Sequence, residues 1–163
     1  MKKATEKALL AHPCSACDVC CSAAPLAREK FMRPEEAPCP ARREGGSGCT
    51  QYNSRPESCR AFNCVWRVGL LDETSLKGAL GRPDKLGIMF DVKDTHATGI
   101  QLIVAQEIRK GAIEEHMPLL HELAGQGHVL YLVEGTRRRM MGPEERVHAV
   151  KAAAQRNLPL VSR

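Results

Sequence analysis

All eight cysteines of this 163-residue chain, at positions 14, 17, 20, 21, 39, 49, 59 and 64, fall within its first 64 residues. In a secreted protein such crowding is a disulfide framework. In a reducing cytosol it points to metal binding. The compartment therefore decides the chemistry. Met1-Lys2-Lys3 looks like the start of a leader, but Ala8-Leu9-Leu10-Ala11 is too short for a signal-peptide core and runs into His12-Pro13. No apolar run approaches the roughly 20 residues that cross a bilayer. The expectation is a cytoplasmic protein with no membrane partner, whose thiols hold a metal ion.

The spacing sharpens that expectation. Cys14-x-x-Cys17 and Cys17-x-x-Cys20 both have knuckle spacing, in which two intervening residues let the backbone turn two sulfurs toward one ion. Cys21 is one cysteine more than a knuckle needs, and adjacent residues point in different directions. Cys59 and Cys64 pose the same problem, because five residues on a helix rotate by about 140°. They reach one ion only if the helix bends or ends between them. Two sites of four cysteines each, or one site with spare thiols, remain open, as does the pairing. The run Cys14, Cys17, Cys20 with a later Cys39-Pro40 also half-matches the C-x2-C-x2-C-x3-C-P pattern of iron–sulfur proteins. Zinc, iron and an iron–sulfur cluster all fit as cofactor.

Charge follows the cysteines. The formal net charge of +5 treats thiols as neutral. Eight thiolates with two divalent ions lower it by four, to +1. Residues 1–67 carry 11 Lys and Arg against 7 Asp and Glu, while residues 68–163 carry 13 against 12. The basic excess sits beside the thiols, so nucleic acid is not an expected partner.

The two halves differ in pattern. Residues 4–11 predict a short helix ended by Pro13. From His12 to Arg67 there is no sustained periodicity, and Pro34, Pro38, Pro40 and Gly45-Gly46-Ser47-Gly48 break the chain. Ser54-Arg55-Pro56-Glu57 predicts a helix start with a capping box, carrying Cys59 through Trp66. Beyond it, Leu86–Lys93 and the alternating Ile100–Ile108 predict an antiparallel hairpin around a turn at 94–99. A helix is predicted at about 116–124 and a strand at 128–134. A short strand should follow at 136–141, and then a final helix opened by Pro143. The expected fold class is α+β. A cysteine-rich, metal-stapled half with short helices (12–72) packs on a small antiparallel β-sheet with two helices (73–163), as two regions or as one compact domain. Residues 12–67 hold eight large apolar side chains in 56 positions, against 19 in 48 for residues 87–134. Metal removal is expected to unfold the first region and spare the second.

The segment Cys14-x-x-Cys17-x-x-Cys20-Cys21, then Cys39-Pro40, then Gly48-Cys49-x-x-Tyr52-x-x-Arg55-Pro56-x-x-Cys59-Arg60-x-Phe62-x-Cys64, closely resembles the CxxCxxCC family of YkgJ-like cysteine-cluster proteins. These are described as zinc- or iron-chelating domains. The resemblance covers residues 12–67. It implies that Cys14, Cys17, Cys20, Cys21, Cys39, Cys49, Cys59 and Cys64 are all candidate ligands. Flagellin lysine N-methylase looks like a distant relative with a cluster of this type. No reaction comes with the resemblance. Arg55 and Arg60 lie within the motif, where guanidinium groups can bond metal-bound thiolates from outside the ligand set.

The expected function is a metal-binding protein chelating zinc or iron, the metal being structural or handled as cargo or signal. The alternatives are an iron–sulfur enzyme or redox protein and a zinc-stabilised nucleic-acid-binding module. Other candidates are weaker. His116 and His121 are five apart, not a spacing that shares a helical face. His12 can stand in for a cysteine in a site of three thiolates and one imidazole. Asp91, Asp94 and His96 cluster at the hairpin turn, as turn chemistry alone explains. Arg137-Arg138-Arg139 is a basic run of the kind usual on solvated strands. No GxGxxG, P-loop, HExxH or GxSxG motif is present.

Overall fold

The alternating apolar residues of the second half form a sheet. Ile88–Thr95 (β1) and Ile100–Glu107 (β2) pair antiparallel, with Ile88 opposite Glu107 and Thr95 opposite Ile100. The structure is a computed structural model that describes residues 12, 17–23, 39–45, 48–95, 98–155 and 161–162. Val129–Glu134 (β3) lies beside β2, and Arg137–Met141 (β4) closes a hairpin with β3. Val161–Ser162 (β5) pairs with the far edge of β1 at Lys93 and Asp94. The order across the sheet is β4-β3-β2-β1-β5.

The sheet is mixed, which corrects the expectation of a purely antiparallel one. β2 and β3 run parallel, Leu102 opposite Val129 and Gln106 opposite Val133. The cause is the connection between them. Residues 108–128 carry two helices, Ala112–Glu115 and Met117–Gly125, that return the chain over one face. A strand re-entering beside its predecessor after such a crossover must run in the same direction.

Residue parity divides the sheet into two faces. On one, Phe90, Ile103, Ala105, Leu130 and Leu132 pack with Leu119, Leu120 and Leu123 of the crossover helix. On the other, Leu102 and Val129 meet Val150 of the last helix, Glu144–Gln155. Gly142 makes the turn between β4 and that helix at a φ of 146°. A Cβ there would stand 2.7 Å from the His128 carbonyl oxygen, so the turn requires glycine.

The cysteine-rich segment is anchored to this sheet at two places. Val65 donates its N–H to the Phe90 carbonyl (3.0 Å), and Val65, Trp66 and Leu71 join the core on the crossover-helix face. One core thus holds side chains from both sides of residue 72. On the opposite face, Met89 packs with Cys17 and Val19. The helix predicted from Ser54 is shorter than expected. Ser54 ends a 3-10 turn, Tyr52–Ser54, and the α-helix runs only from Glu57 to Ala61 with Pro56 at its N-cap and no side-chain capping bond. Pro56 fixes the preceding Arg55 in an extended conformation, which separates Ser54 from the helix it was expected to cap. The helix expected over residues 4–11 lies outside the described residues. Among the described residues, no helix is long and apolar enough to cross a membrane.

Candidate metal centre

Two sequence segments supply the thiols of one cavity. The first is the turn entering the helix Val19–Ala23, where Cys17 is buried and Cys20 half-buried. The second is Cys59 to Cys64. The helix carrying Cys59 ends at Ala61, and Phe62 is extended (φ −73°, ψ 122°). The chain then turns back along β1 through the Val65–Phe90 hydrogen bond. Because the helix ends between them, Cys59 and Cys64 do not diverge by the helical angle. Both line a cavity of about 30 Å³ together with Cys17 and Cys20. That volume holds one or two water-sized species. Phe62, Trp66 and Met89 supply apolar wall around the thiols.

Cys21, Cys39 and Cys49 are positioned by a neighbouring set of contacts. The Cys39 amide donates to the Cys21 carbonyl at 2.7 Å, and Arg42 forms a β-bridge with Cys49. The Gln51 amide points at Cys49 Sγ, 3.3 Å away. Arg42 Nε donates to the buried carboxylate of Asp18, which ties the loop at 39–50 to the first cysteine segment. Burial pushes the Cys59 thiol up, and Cys39 and Cys21 push it the same way by charge, while Ser58 and Arg55 oppose them. Cys59 thus lines the cavity while feeling the charge of two cysteines outside it.

The cavity also contains an unmet donor. Arg67 lines it, and its Nε is buried with no hydrogen-bond partner among the described residues. A buried guanidinium nitrogen left unpaired is costly, and an anionic acceptor removes the cost. Metal-bound thiolates are acceptors of that kind. The chemistry of the donor set, soft sulfur beside a guanidinium whose Nε has no partner among the described residues, fits a thiophilic metal. The sulfurs themselves are not drawn together: among the described residues, no three His, Cys, Asp or Glu side chains form a group able to hold one ion. The seven described cysteines carry thiols, not disulfides. Cys14 lies outside the described residues.

Of the two arginines expected beside the thiols, Arg55 lines the cavity, its guanidinium 3.7 Å above the Tyr52 ring. Arg60 is exposed at the end of its short helix and is not among the cavity's lining residues. Sequence reasoning missed Arg67, Arg42 and Arg82, the last close enough to feel the charge of Cys17. Two of them follow a cysteine by three residues, Arg42 after Cys39 and Arg67 after Cys64, and that spacing was the available signal. His12 stacks on Trp66 at 4.8 Å between ring centroids and directs Nε2 to both carboxylate oxygens of Asp72 at 2.9 Å. That nitrogen is engaged away from sulfur. His116 lies near Glu115, and Asp91 pairs with Lys93. His96 lies outside the described residues. Comparisons with models of protein families, with curated proteins and with solved structures give no match to this chain.

Proposed function

We propose that this chain is a metal-binding protein of the CxxCxxCC type whose cysteine cluster holds zinc or iron, as a structural ion or as cargo or signal. The observation that carries the reading is that Cys17, Cys20, Cys59 and Cys64 line one small cavity with Arg67, whose Nε has no partner among the described residues. Four thiols reach that cavity from segments some forty residues apart in sequence, and no disulfide joins any of the seven described cysteines. A thiol cluster of this density without disulfides is a soft-metal donor set. Bound metal would supply Lewis acidity or, as iron–sulfur, electron transfer. The residues around it would set its charge and its access to water: Arg55 and Arg67 line the cavity with the thiols, as do Phe62, Trp66 and Met89. Since the sulfurs are not drawn onto one point, the reading requires binding to close the two segments around the ion, so that metal affinity and local folding are coupled.

The test is elemental analysis with a visible spectrum on protein purified without oxygen. Stoichiometric zinc in colourless protein, or iron in coloured protein, supports the reading, and acid-labile sulfide selects an iron–sulfur cluster. Cys17→Ser should lower metal content more than His116→Ala or His121→Ala. Protein that carries no stoichiometric metal and takes up none after reduction refutes it.

A further inference from the structure

The structure assigns a second binding site to this chain, an apolar groove under the last helix that takes a medium-chain organic carboxylate. It is independent of the thiol cluster. The groove, half open to solvent, measures about 470 Å³, within the roughly 300–1,000 Å³ of ordinary small-molecule sites. Its floor is the sheet face opposite the crossover helices. Val104, Tyr131 and Met140 stand in one row across β2, β3 and β4, and Leu102 and Lys93 stand in the next. Its wall is the helix Glu144–Gln155, through Val150, Ala154 and Lys151.

The helix leaves the groove because of its own sequence. Val150 is its one large, fully buried side chain and seats on Leu102 and Val129. One turn further on, the residue that lines the groove is Ala154, exposed at its mouth and too small to fill the space to Tyr131 and Met140. The lining chemistry selects the ligand. The body is aliphatic with one phenol, and among the described residues the charged side chains lining it are both lysines. Lys93 is held by Asp91 at 2.5 Å. Lys151 is exposed at the rim and forms no ion pair among the described residues. An apolar chain lying on the floor with an anionic head at Lys151 satisfies both features. From β1 to β4 is three strand spacings, about 14 Å, which suits a chain near ten carbons.

Calorimetric titration of the full chain with decanoate, decanol, decyltrimethylammonium and octanoate tests the assignment. Decanoate should bind saturably at one site. Octanoate should bind about 15-fold more weakly, since each buried methylene is worth about fourfold. Decanol should be weaker than decanoate, and the cationic amphiphile weaker still. Lys151→Glu, an exposed change, should weaken decanoate about tenfold or more and leave decanol within twofold. Ala154→Trp, also at an exposed position, should fill the groove and abolish binding of both with the helical circular dichroism unchanged. Absence of saturable decanoate binding overturns the proposal. So does equal binding of anionic and cationic amphiphiles, as does decanoate affinity that survives Lys151→Glu. If Ala154→Trp fails to fold, the Lys151→Glu and chain-length results decide alone.

Discussion

Leu71→Ala should destabilise the protein by a similar amount with metal bound and with metal removed. Leu71 is 1% exposed and belongs to one core with Val65, Trp66, Phe90 and Ile103. Its surroundings cannot relax far. A Cβ added at Gly81 would stand 3.2 Å from Leu71 Cδ1 and 3.3 Å from Trp66 Cδ1, so the 3-10 turn Gly78–Gly81 lies close against both side chains. Trp66 is fixed in turn by its Nε1–H donating to the Gly78 carbonyl at 2.8 Å. Removing a leucine from such a site costs about 2–5 kcal/mol, toward the upper end where neighbours cannot collapse. For a chain of this size each kcal/mol lowers Tm by roughly 2–4 °C, so the expected fall is roughly 5–15 °C. The contacts that set this number involve no cysteine of the proposed ligand set apart from partly buried Cys64, which packs against the cluster. The same fall should therefore appear in thermal melts with excess zinc and with excess chelator. A fall below about 2 °C, or one that vanishes in chelator, refutes the view that residues 65–71 are held by the sheet and not by metal.

Hydrogen exchange with and without chelator should place the boundary of metal-dependent protection at Val65, whose amide is bonded to Phe90, with loss confined to residues 17–64. Glu134→Gln should reduce stability at pH 7 and converge on the parent protein in acid melts. The hydrogen bond from Arg139 holds the Glu134 carboxyl below its ordinary 4.5, so its contribution is present above that pH and lost as pH falls through the folded value. His128 should remain neutral to lower pH than an ordinary histidine in an NMR titration. Burial, aided by Arg146, depresses its proton affinity below 6.5, so acidification below 6.5 favours the unfolded chain until the folded value is passed. Gly142→Ala should cost about 1–3 kcal/mol in denaturant melts through a φ of 146° and the approach to His128 O.

The strands were legible because their side chains alternate, and alternation reports a half-buried strand directly. Ile100–Glu107 and Val129–Glu134 differ from their expected bounds by a residue. Strand direction was less legible, since it depends on which neighbour a strand finds. The order β2, helix, β3 is compatible with either direction until adjacency is known, and here the helices 112–125 lie on one face and deliver β3 beside β2. The capping box at Ser54 misled for a local reason. The same proline that suits a first helical turn also forces extension on Arg55, and the extension moved the start of the helix to Glu57.

At the thiols, spacing alone gave the right question and an incomplete answer. Five residues on an unbroken helix set Cys59 and Cys64 on different faces, yet both line one cavity because Phe62 leaves the helical conformation. Nothing in Ala61-Phe62-Asn63 announces that break in the manner of a glycine or proline. It is imposed from outside, by the bond between Val65 and Phe90 and by burial of Val65 and Trp66 against the sheet. The sheet therefore shapes the second half of the thiol set, and Met89 on its other face seats the first through Cys17 and Val19. Two faces of one strand, β1, hold the two segments that meet at the cavity. That arrangement places so apolar-poor a segment against the sheet by packing alone, and under the proposed metal-binding reading an ion would have only to close thiols that already line one cavity.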